Sequence, residues 1–98
     1  MTMPEMNGKR HVTTGLPLLG YDEDLCILFV QIWQAICLAE DLTEVWKNIR
    51  ANPNYDQIMQ NFEIERTMNE TIIYQKRLGT EERYGQEGDY LMKITFDK

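Results

Sequence analysis

Residues 25–39 read Leu-Cys-Ile-Leu-Phe-Val-Gln-Ile-Trp-Gln-Ala-Ile-Cys-Leu-Ala, a run whose only polar members are Gln31 and Gln34. Leu25, Leu28, Phe29, Ile32, Ile36 and Ala39 recur at steps of three and four, the spacing of one buried helical stripe. Cys26, Val30, Trp33 and Cys37 form a second stripe beside it. The spacing predicts a helix over about 23–39. Asp22, Glu23 and Asp24 precede or open it, where carboxylates satisfy free N–H groups and suit the positive end of the helix dipole. A helix that is apolar around most of its circumference has to be covered on more than one side. In a chain of 98 residues two arrangements achieve that: a central place between a sheet and other helices, or burial of one stripe against a second copy. The second is preferred, which predicts a homodimer joined through Cys26, Val30, Trp33 and Cys37.

Downstream of this run the pattern resets. Asp41-Leu-Thr-Glu44 has the form of a capping box ahead of a helix over 42–50, with Val45, Trp46 and Ile49 as its apolar edge. Asn52-Pro53 ends that helix, and Pro53 at a first helical position opens another over 53–61, with Tyr55, Ile58, Met59 and Phe62 on one face. Beyond Phe62 a helical reading leaves a poor apolar face, whereas Ile64, Met68, Ile72, Tyr74 and Leu78 share one parity. Strands are therefore expected over 62–68 and 71–78, with a turn at Asn69 and Glu70. A last strand, 90–96, alternates Tyr90, Met92, Ile94 and Phe96 with Leu91, Lys93 and Thr95 after the turn-forming Gly85-Gln-Glu-Gly-Asp89. Residues 1–20, punctuated by Pro4, Gly8, Gly15, Pro17 and Gly20, read as an irregular lead-in with a short edge strand at 12–14. The expected class is α+β, N-terminal helices packed on a small antiparallel sheet, in one compact domain over 21–98.

Composition excludes several functions. A 43% hydrophobic fraction with 2 Cys describes an ordinary globular domain. Ten Lys and Arg against 16 Asp and Glu leave a net charge of -6, which argues against gripping nucleic acid through a basic surface. The chain has no serine and one histidine, His11, so it cannot assemble a Ser-His-Asp triad. Cys26 and Cys37 sit in the most apolar stretch, where a thiol is an inert core residue more often than a nucleophile served by His11. Together with His11 they fall short of the four ligands of a structural zinc site. Eleven residues of helix separate the two cysteines by about 16 Å, beyond disulfide reach. Free thiols suit a cytoplasmic protein. The run at 25–39 is shorter than the ~20 apolar residues of a bilayer span, and acids rather than bases precede it, so no membrane partner is expected. Nothing has the spacing of a phosphate loop or a metal site, and no cofactor or catalytic residue is assigned.

Charge is unevenly distributed. Residues 21–56 hold seven acids against two bases, a net of -5. Glu40, Asp41 and Glu44 are the candidate docking surface for a basic protein, such as one that itself grips nucleic acid, and the chain would act on it as an inhibitor or adaptor. The plainer reading of the same acids is helix capping and solubility. An alternative from another class is a pocket lined by Tyr74, Arg77, Tyr84 and Tyr90 for a nucleotide or other small anion. Glu81, Glu82, Glu87 and Asp89 surround that cluster, which favours cross-strand ion pairs over an open basic site.

Overall fold

The computed structural model describes residues 10–20, 23–77 and 79–97. In chain order these form β1 (Arg10–Thr14), α1 (Glu23–Cys37), α2 (Leu42–Arg50), α3 (Tyr55–Asn61), β2 (Phe62–Arg66), β3 (Glu70–Gln75) and β4 (Met92–Phe96). The cap assigned to Asp22 and the strand end assigned to Leu78 lie outside the described residues. The class is α+β: three helices and a four-stranded antiparallel sheet of order β1-β4-β3-β2. Strands β2, β3 and β4 follow one another as a meander, and β1, first in sequence, pairs with β4 at the far edge.

Register decides which side chains reach the core, because directly opposed residues of an antiparallel pair share a face. Ile64 lies opposite Ile73, Ile73 opposite Met92, and Val12 and Thr71 flank Ile94 from its two sides. That face meets the helices. Leu28, Ile32 and Ile36 of α1, Val45 and Ile49 of α2, and Ile58 of α3 join Phe62, Ile73, Met92 and Ile94 in one cluster. Burying each such side chain is worth about 1.5–3 kcal/mol.

The single parity expected through 64–78 breaks at the hairpin. Thr67 N–H donates to the Glu70 carbonyl, and Thr67 Oγ1 accepts from the N–H groups of Asn69 and Glu70. This turn leaves Met68 96% exposed at its tip. Parity is a property of one strand, so Ile64 points to the helices while Ile72 and Tyr74 point to the opposite face. Both of the latter are nonetheless buried, and β3 is covered on both sides.

Helix α1 has no basic residue in its last turn. Its hydrogen bonding continues past Cys37, with Leu38 N–H donating to the Gln34 carbonyl. From β1 the buried Arg10 guanidinium donates to the Ala39 carbonyl and lies 5.7 Å from the Phe96 ring centroid. The edge strand thus delivers the cation that a helix C-terminus favours. The lead-in is strand from Arg10, two residues earlier than the sequence suggests, and this contact helps to anchor it.

Residues 15–20 then cross the end of the sheet. Gly15 N–H donates to the Leu91 carbonyl and Leu16 N–H to the Tyr90 carbonyl. A Cβ at Gly15 would stand 2.2 Å from that Tyr90 oxygen, so the approach requires glycine. The amide of buried Gln75 then holds both backbone groups of Leu19. Leu19 N–H donates to Oε1 at 2.7 Å, and Nε2 donates to the Leu19 carbonyl at 3.1 Å. Between α2 and α3, Asn52 Oδ1 accepts from Asn54 N–H at 2.8 Å, so the helix begins at Tyr55 and Pro53 belongs to the turn before it. Asn54 Nδ2 donates to Gln31 Oε1 at 3.0 Å and fastens that turn to α1.

Gln75 joins the 15–20 segment to β3 by two hydrogen bonds. Gln75→Ala is expected to lower the free energy of unfolding by about 2 kcal/mol in urea, with an unchanged circular dichroism spectrum, since both part-buried bonds to the Leu19 backbone are lost.

Candidate functional site

The acidic corner lies where α1 gives way to α2. Asp41 adopts an extended conformation, and its Oδ1 accepts from Glu44 N–H at 2.8 Å, which starts α2. This is half of the capping box. Among the described residues no bond returns from the Glu44 carboxylate to the Asp41 N–H. Glu40 and Asp41 are exposed and Glu44 is half-buried. None of the three forms an ion pair among the described residues. Beside them lies a shallow depression lined by Leu42, Thr43, Arg66, Thr67 and Met68.

On the outer face of the sheet the basic cluster is already engaged. Arg83 donates through Nε to Glu63 and through Nη2 to Glu65 at 3.0 Å, and its guanidinium carbon lies 3.7 Å from the centroid of the Tyr74 ring. The β2–β3 register explains the cluster, since Glu63 stands opposite Tyr74. Lys76 Nζ reaches Glu81 at 2.8 Å and the Met59 carbonyl at 2.9 Å. Lys93 Nζ lies 4.0 Å from Glu70 and 4.8 Å from the centroid of Tyr90. Arg66 lies over Trp46, which meets Tyr55 edge-on at 6.3 Å. Of the four residues offered for a ligand pocket, Tyr74 is 8% exposed with Arg83 on its ring, Tyr84 and Tyr90 are half-buried, and Arg77 is exposed. Sequence reading missed the Arg83 clamp, although Glu63 and Glu65 two apart on one strand were its signal.

No protein-family model, curated protein or solved structure matches the chain. The geometry alone therefore has to carry a reading.

The outward face of α1 differs from the expected self-association stripe. Trp33 is 4% exposed and belongs to the core, so it is not available to a partner. The side chains that remain outside are Ile27, 47% exposed, and Leu38, 76% exposed, with exposed Gln34 between them. Cys26 and Val30 are half-buried and help to line a shallow apolar trough with Ile27. Cys26 and Cys37 are free and half-buried. Burial pushes the Cys37 thiol up, against the opposing influence of the Arg10 charge, so it stays protonated near neutrality. Alternation along β1 puts His11 on the face opposite Arg10, where its Nε2 lies 2.9 Å from Asp97 Oδ2. Among the described residues no three His, Cys, Asp or Glu side chains gather as metal ligands, and no helix is long and apolar enough to cross a membrane.

Tyr74 carries a pH dependence. Burial raises its phenol above the ordinary value of 10.0, and the Glu65 and Glu63 charges add to that against Arg83. The folded protein holds this proton more tightly than the unfolded chain. Its contribution to stability is therefore complete below the ordinary tyrosine range and is lost as pH rises through it. In urea titrations the stability difference between wild type and Tyr74→Phe is expected to be constant near neutrality and to shift against the wild type above about pH 10.

Proposed function

We propose that the protein works by binding a basic protein partner, as an inhibitor or adaptor in the cytoplasm, and that it does so as a homodimer. The observation that carries this reading is how charge is allocated. Arg83, Lys76 and Lys93 are matched by Glu63 and Glu65, Glu81 and Glu70, while Arg10 is buried against Ala39 and Arg66 lies on Trp46. Among the described residues Glu40, Asp41 and Glu44 form no ion pair. Their corner presents uncompensated negative charge, which attracts and orients a basic surface. The free thiols of Cys26 and Cys37 are in keeping with a reducing compartment.

The test is a combined Glu40→Gln, Asp41→Asn and Glu44→Gln variant. It removes the charge yet keeps an oxygen at position 41, because asparagine caps a helix about as well as aspartate. Wild-type and variant proteins are immobilised and challenged with extract of the native host at about 50 mM and about 300 mM salt. A basic protein retained by the wild type at low salt, released at high salt and reduced about tenfold on the variant is the expected result. Equal capture by the two forms at low salt would overturn the reading.

A further inference from the structure

The exposed face of α1 is unlike the rest of the surface. No charged residue occurs between Asp24 and Glu40, and the positions that escape the core include Ile27, Gln31, Gln34 and Leu38. A helix face left to solvent is normally lined by charged and polar side chains. This one is neutral, and its pattern is the same in both directions: apolar, amide, amide, apolar, at steps of four, three and four. A two-fold interface requires residue i to meet residue j and j to meet i, which a palindromic stripe satisfies with itself.

We propose that α1 packs antiparallel on α1 of a second copy about a two-fold axis, with Ile27 of each protomer on Leu38 of the other and Gln31 opposite Gln34. The inference rests on the homodimer reading above and specifies its interface. A glutamine side chain both donates and accepts, so two of them pair across the axis. Gln31 Oε1 is taken by Asn54 Nδ2, which leaves the Gln31 amide N–H groups for the carbonyl of Gln34 on the other copy. Neutrality favours the second copy as occupant: an acidic chain of net charge -6 meets its own kind here without opposing charges within the stripe. The same register carries Glu40 and Asp41 of one protomer alongside Glu23 of the other. Two chains then build each acidic docking surface, and the like charges at the ends hold the dimer to a weak, salt-strengthened association.

Sedimentation equilibrium on the full chain tests the register through Ile27→Lys and Leu38→Glu. Both side chains point outward, so the thermal melts of the variants should match wild type. Each variant alone is expected to self-associate about tenfold more weakly or worse, because a charge faces an apolar residue twice per dimer. An equimolar mixture is expected to recover near wild-type affinity, since the mixed dimer places the introduced ammonium against the introduced carboxylate and keeps one native Ile27–Leu38 contact. A dimeric wild type whose variants show no weakening, or no recovery on mixing, overturns this interface and leaves the homodimer reading standing. A wild type that stays monomeric at about 1 mM overturns both, while the acidic corner is judged by its own capture experiment.

Discussion

Helix α1 has more apolar surface than a single neighbouring layer can bury, and the other elements are arranged around that excess. Ile32 and Ile36 look into the centre, where α2, α3 and the sheet converge on them. Trp33 extends the buried arc on one side, and Leu28 and Ala35 extend it on the other. The last turn of α1 has no basic residue to meet the carbonyls at its C-terminal end. Arg10 does so from β1, 29 residues away in sequence. The same guanidinium lies near the Phe96 ring and ties the edge strand to the helix layer. The arrangement has a cost: Arg10 Nε and Trp33 Nε1 are buried without a hydrogen-bond partner among the described residues, at about 1–3 kcal/mol each.

Once Arg10 is committed to the helix end, Lys47 and Arg50 stay on α2 and Arg66 lies over Trp46, while Lys76, Arg83 and Lys93 follow the sheet. Its outer face exposes carboxylates at Glu63, Glu65 and Glu70, and each meets an arginine or lysine that the meander and its following loop bring across. These pairs are partly exposed, so each adds at most about 1 kcal/mol to stability. Their larger effect is on the surface potential. Lys76, Arg83 and Lys93 are held at the sheet by their own carboxylates, and the bases of the helical half, Lys47 and Arg50, are outnumbered there by its acids.

Local patterns in the sequence carried the elements well, and long-range contacts lay beyond them. The stripe of Leu28, Ile32 and Ile36, the Asp41 cap and the alternation of Met92, Ile94 and Phe96 are each set by neighbours within a few residues, so spacing alone revealed them. Parity from Ile64 to Ile72 misled because a turn intervenes, and no periodicity survives a turn. Trp33 shared a stripe with Val30 and Cys37, and only the packed neighbours reveal that the stripe divides between core and surface. Gln75 holding Leu19, and Arg83 lying between Glu63 and Glu65, join positions 56 and about 20 residues apart. Residue type gives no hint of such partners, which is why the Tyr74, Arg77, Tyr84 and Tyr90 group could be offered as an alternative pocket without Arg83, the cation that lies on Tyr74 and is matched by Glu63 and Glu65.

The neutral stripe and the acidic corner constrain each other. Were the stripe charged, a chain with this excess of acids would oppose its own association along the whole length of α1. Were the corner neutral, nothing would limit how tightly two copies close. With Leu38 two residues from Glu40, the last apolar contact of the proposed pair abuts the first acid of the docking surface. A basic partner seated there would neutralise the repulsion between Glu40 of one protomer and Glu23 of the other. Binding of that partner and pairing of α1 would then reinforce each other by linkage, since each removes part of the free-energy cost of the other.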